Sequence, residues 1–151
     1  MSLLASKFDI PRGYPNGSAL AEPFKIKLTG SPLVPVSMPQ GSLITQELQG
    51  LETVMDLATS PLLNAADPID VWVVVEGNDD YSGEYVKKVM ACKCMSGLIW
   101  ETDQLTAGAY TPGTPLSFTA GKLKVKDTNE QIIGYVLDDL TATKGTIRIS
   151  S

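Results

Sequence analysis

The order of apolar and polar positions along the chain is mostly that of short strands. Residues 113–125, GTPLSFTAGKLKV, alternate on both sides of an Ala-Gly pair. Leu116 and Phe118 precede the pair; Leu123 and Val125 follow it. The pattern predicts a hairpin in which Thr119 faces Lys122, Phe118 faces Leu123 and Leu116 faces Val125. Those four apolar side chains would share a buried face, with Lys122 and Lys124 on the other. Val71, Trp72, Val73, Val74 and Val75 form a continuous apolar run closed by Gly-Asn-Asp-Asp, which predicts a buried strand. Tyr85–Cys94 is short, punctuated and rich in β-branched residues, and favours a strand over a helix. LIWETDQL, QIIGYVLDD and the alternating GTIRIS supply further strands; Gly134 inside the second suggests a bulge or a close backbone approach.

Residues 41–60 admit two readings. Ile44, Leu48, Leu51 and Met55 fit a helical stripe. Gly50 disfavours a helix interior, and Thr45, Thr53 and Val54 favour strand. The hairpin is the better reading, with Gln49-Gly50 as its turn, Thr45 facing Val54 and Ile44 facing Met55.

Proline divides the chain. Six of the ten prolines fall within the first 40 residues, where they block regular helix. The same segment carries Phe8, Ile10, Tyr14, Leu20, Phe24, Ile26 and Leu28, more apolar residues than a disordered tail would have. EPFKIKLTG alternates as a strand with one apolar face: either an ordinary first strand or part of an arm that orders on a partner. The predicted organisation is an extended Pro-rich N-terminal arm, residues 1–38, before a β-rich body, 39–151. The body is mainly β, a small antiparallel sandwich or barrel with little helix.

Composition narrows the chemistry. The chain has 151 residues, 43% hydrophobic and 19% charged, with a formal net charge of −5. Its basic residues are scattered, so phosphate neutralisation is not its business and nucleic acid is not an expected partner. No run approaches the ~18 apolar residues of a membrane span. The first residues, MSLLASKFDIPRGYP, hold too short an apolar stretch for a signal peptide, which predicts a protein that stays in the cell that makes it.

There is no histidine, which removes the commonest general base and the commonest metal ligand. Cys92 and Cys94 would point the same way on a strand and are too few for a zinc site; they read as reduced thiols touching the core. Asp79-Asp80 and Asp138-Asp139 are adjacent pairs whose side chains diverge on a strand, and Asp79-Asp80 sits in a turn where such residues bond locally. No serine has a nucleophile's context, and no glycine-rich loop has a phosphate-binding one. Arg12, alone in a turn, is a weak contact candidate. Tyr110, between Gly108 and Pro112, reads as a lock between a loop and its core. No enzyme, cofactor or metal site is expected.

An ordered set of motifs adds to this: Glu76-Gly77-Asn78, Ser82-Gly83, Glu101 to Gln104, Tyr110 to Leu116, Gly121-Lys122-Leu123, Ile133 to Leu137 and Gly145 to Ile149. In that order they resemble the small capsid decoration, or cement, proteins of tailed bacteriophages. The resemblance spans residues 71 to 150, about half the chain. It implies a non-enzymatic β-rich virion protein, made in the host cytoplasm, that binds the outside of the capsid and stabilises the expanded head. The implied partners are the major capsid protein and further copies of the chain, as a homotrimer at local threefold positions. In some relatives an N-terminal arm adds a strand to the capsid lattice. On that basis the partner-binding candidates are Phe8, Tyr14, Phe24, Ile26, Leu28, Leu33, Val34 and Val36, in and around FKIKL and LVPVSM. A second reading is a virion surface adhesin or carbohydrate-binding β domain using Tyr81, Tyr85, Trp100 and Tyr110.

Overall fold

A strand that is apolar at successive positions must be buried on both faces. The computed structural model, which describes residues 9–12, 21–79, 83–137 and 147–150, places the Val71–Val75 run in that situation. The strands are β1 (Asp9–Arg12), β2 (Glu22–Lys25), β3 (Leu28–Thr29), β4 (Val34–Pro35), β5 (Leu43–Gln49) and β6 (Glu52–Leu57). They continue with β7 (Trp72–Glu76), β8 (Lys88–Lys93), β9 (Ile99–Thr102) and β10 (Pro115–Thr119). The last three are β11 (Lys122–Val125), β12 (Gly134–Val136) and β13 (Ile147–Ser150). The fold is mainly β, built of antiparallel sheets that include a curled half-barrel. Among the described residues the one helical element is a 3-10 turn, Gly83–Lys87.

One sheet has five strands in the order β2-β8-β7-β5-β6, and the other has six in the order β1-β9-β13-β12-β10-β11. β3 and β4 form a separate small hairpin. Alternate side chains of the five-stranded sheet enter two different cores. Leu43, Val71, Val73 and Cys92 meet Trp100, Leu116, Phe118, Leu123 and Val136 of the six-stranded sheet. Ile44, Met55, Trp72, Val74, Val89 and Ala91 turn the other way and close with Ile26 and Met38 on a second core. The sheet curls around that second core until its two outer strands touch. Ile26 bridges Met55 in parallel sense, and the Lys27 N–H donates to the Met55 carbonyl at 2.9 Å.

The β10–β11 hairpin has the predicted register: Thr119 opposite Lys122, Phe118 opposite Leu123, Leu116 opposite Val125. Ala120 and Gly121 both have positive φ, 47° and 80°, as a two-residue type I′ turn requires. The turn also joins the sheets. Leu43 N–H donates to the Gly121 carbonyl at 2.8 Å, and Gly121 N–H to that of Ala58 at 2.9 Å. The outer edge of β11 is covered by residues 104–106, through Thr106 N–H to Leu123 O and Leu123 N–H to Gln104 O.

Residues 41–60 are a hairpin, with a register two residues away from the sequence expectation. Thr45 faces Asp56, Ile44 faces Leu57, and Gln49 faces Glu52 across a Gly50-Leu51 loop. Gly50, at φ 66°, takes the first loop position, which fixes the turn one residue later than Gln49-Gly50. A slip of two leaves every side chain on its expected face. The segment expected to be one strand from Tyr85 to Cys94 is instead the 3-10 turn followed by β8. β12 begins at Gly134 and does not enclose it. The ladder irregularities fall elsewhere, at Val74/Glu76 on β7 and at Asp9/Arg12 on β1.

Candidate docking surface

β2 is hydrogen-bonded into the five-stranded sheet alongside β8, with Phe24 opposite Val89. That pairing distributes the partner-binding candidates over different environments. Phe24 is half-buried and meets the Trp72 ring edge-on, centroids 5.8 Å apart. Ile26 is 3% exposed, its side chain inside the second core. Leu28 is half-buried, as is Val36, which packs on that core. Leu33 and Val34, on and beside the β3–β4 turn, are exposed at 65% and 52%. Phe8 and Tyr14 lie outside the described residues.

Two further leucines are exposed. Leu48 is 72% exposed, and Leu51, in the β5–β6 loop, is fully so. Neither is among the partner-binding candidates read from the sequence; an apolar residue directly after a turn glycine was the available signal. One side chain ties the two hairpins together. Gln49 Oε1 accepts from the Leu28 N–H at 3.2 Å, and its Nε2 donates to the Leu28 carbonyl at 2.8 Å. The side-chain amide thus acts as a peptide unit, as Gln131 does for the backbone of Ile69 at 2.9 and 2.8 Å. The Gln49 side chain holds β3 to the end of β5.

Ion pairs lie beside Leu28 and the β5–β6 hairpin. Lys27 Nζ donates to Glu47 at 3.0 Å and to Asp56 at 3.1 Å; Glu47 first, then Asp56, hold the Lys27 ammonium above its ordinary pKa. Lys25 pairs with Glu52 at 3.1 Å in an exposed position, a contact of small energetic weight.

The described residues capable of chemistry lie elsewhere. Cys92 is buried and Cys94 half-buried, both as free thiols. Burial pushes the Cys92 thiol up to about 11, and burial and then Cys92 raise that of Cys94 further. Asp79 accepts from Ser37 Oγ at 2.7 and 2.9 Å. Asp80, Asp138 and Asp139 lie outside the described residues. Asn78, 5% exposed, accepts from the Met38 N–H and donates to the carbonyls of Val36 and Val86. Trp100 is fully buried. The Tyr110 hydroxyl donates to the carbonyls of Thr106 and Leu123, which locks its loop to the core as expected. Tyr81 lies outside the described residues. Among the described residues no group of three or more histidine, cysteine, aspartate or glutamate side chains could hold a metal ion, and no helix is long and apolar enough to cross a membrane.

No protein-family model, curated protein or solved structure matches this chain.

Proposed function

We propose that the chain is a non-enzymatic structural protein of a virus particle, a decoration protein that binds the outer surface of a bacteriophage capsid and stabilises the expanded head. The observation that carries this reading is the exposure of Leu33, Val34, Leu48 and Leu51 on two hairpins, on a fold whose thiols, Trp100 and Tyr110 are turned inward. Large exposed apolar side chains suit attachment to another protein. The motif order over residues 71 to 150 supplies the kind of partner. On an icosahedral lattice many copies act together, so each contact need only be modest. Attachment as a homotrimer, through the major capsid protein and neighbouring copies, is part of the same proposal.

The adhesin reading loses two of its four aromatic residues, because Trp100 and Tyr110 lie in the core. The test of the favoured reading is co-sedimentation with heads of the phage that encodes the chain. Binding to expanded heads, with weak or no binding to compact procapsids, is the expected result. A protein that ignores expanded heads is not a decoration protein.

A further inference from the structure

The β5–β6 hairpin is anchored at its base and lightly attached at its tip. At the base, Ile44 and Met55 belong to the second core and Leu57 packs on it. β5 pairs with β7 there through Leu43 and Ile44. Thr45 adds one bond, from its hydroxyl to the Asp70 carbonyl at 2.9 Å. Among the described residues no strand pairs with β5 beyond Ile44 on that side. Residues 47–54 therefore run on as two strands whose ladder bonds go only to each other.

One face of that extension looks back at residues 25–28, and its chemistry is polar. Thr45 lies opposite Asp56, Glu47 opposite Val54 and Gln49 opposite Glu52, so these six side chains share a face. Glu47 and Asp56 take Lys27, at 3.0 and 3.1 Å, and Glu52 takes Lys25 at 3.1 Å. Gln49 takes the Leu28 backbone. A backbone bond also crosses, from the Lys27 N–H to the Met55 carbonyl, but it falls at the base. Val54, 4% exposed, is the single apolar side chain of the face. A cleft of about 230 Å³ separates Gln49, Glu52 and Val54 from Lys25, Ile26 and Leu28. Solvated ion pairs hold weakly and are screened by salt, so an attachment made of them gives way before a packed core does.

We propose that residues 47–54 form a hinged flap, which turns about the Gln46–Met55 pair and is latched by Lys25, Lys27 and Gln49. Closed, the flap covers Val54. Open, it uncovers Val54 and leaves the side chains of both cores in place. Leu48 and Leu51, 72% and fully exposed, ride on it, so the latch sets where they stand. Salt loosens the latch by screening its ion pairs. The flap does not depend on the function proposed above, and its test involves no heads.

The test follows the full chain by backbone amide exchange and relaxation dispersion, at low salt and at about 1 M, where the screening length is about 3 Å. The Leu28 N–H, which Gln49 holds, should exchange about fivefold faster at high salt, and as much faster at low salt in Lys27→Met. Amides of residues 47–54 should share one dispersion rate, while Val73 and Val74 of β7 exchange as before. Lys27→Arg should keep the latch, and Lys122→Met, an exposed lysine of β11, should change nothing. Equal acceleration at Val73 and Val74 would mean that the whole fold loosens. Acceleration at Leu28 without dispersion in residues 47–54 would mean that β3 alone frays. Either result overturns the proposal, as does a Leu28 amide indifferent to salt and to Lys27→Met, or a Lys27→Arg protein as loose as Lys27→Met. If Lys27→Met does not fold, the salt series on the wild type decides alone.

Discussion

Phe118 shows what one buried side chain contributes. It is fully buried opposite Leu123, between the two sheets. Truncation to alanine should cost about 3–5 kcal/mol, read from the shift of a urea midpoint, whereas Lys122→Ala on the exposed face should stay within about 0.5 kcal/mol. Asn78 makes the polar counterpart of this argument. Its side chain satisfies three backbone groups from Val36, Met38 and Val86, and Asn78→Ala strands the buried Met38 N–H at a cost of about 1–3 kcal/mol. The thiols give a pH signature. The Cys92 value rises from 9.0 to about 11 on burial, so the stability it contributes is complete below 9.0. Above that, the unfolded chain sheds a proton that the folded chain keeps, and stability falls as pH rises through about 11. Urea midpoints across this window should drop more steeply for the wild type than for Cys92→Ala. Native protein at neutral pH should react slowly with a thiol reagent and unfolded protein quickly.

At the scale of elements, the β10–β11 hairpin was legible because two independent signals agreed. Its Ala-Gly pair supplies the positive φ values of the turn, and the alternation around it fixes the faces. The β5–β6 hairpin was legible in kind and in facing, but not in register. The sequence gives no sign that Gln49 would be recruited to hold Leu28, which keeps that residue out of the loop. The same hairpin shows why the exposed residues were half-read. Leu33 and Val34 are candidates through the arm that the resemblance implies; Leu48 and Leu51 flank the expected Gln49-Gly50 turn, and local sequence gives no sign of whether such a tip is covered. Alternation alone could not tell whether Phe24, Ile26 and Leu28 would stay with their own chain. Trp72 and Met55 decide it for Phe24 and Ile26, by contacts distant in sequence. Gln49→Ala should free the β3–β4 hairpin from the β5–β6 tip. Faster amide exchange at Leu28, with a global loss of about 1 kcal/mol, is the expected result.

For the whole molecule, the arrangement of sheets separates support from contact. The buried run of β7 stands between two cores, and the exposed aliphatic residues lie on the β3–β4 and β5–β6 hairpins. A contact surface carried on hairpin tips can change its side chains without disturbing either core, as surface substitutions usually do. Leu48→Ser with Leu51→Ser should therefore leave the melting temperature within a few degrees while reducing attachment to expanded heads. Loss of folding in that variant would show that the two leucines are structural.

The shared position of β5, β7 and β8 has a thermodynamic consequence. Each of these strands is a wall of two apolar compartments at once. Water cannot enter one compartment without loosening the strands that seal the other. The described body should therefore melt as one cooperative unit, with a single calorimetric transition whose measured enthalpy equals its van't Hoff enthalpy. A sheet wetted on one side would give a protein that could shed half its fold; a wall dry on both sides gives one that holds or fails as a whole.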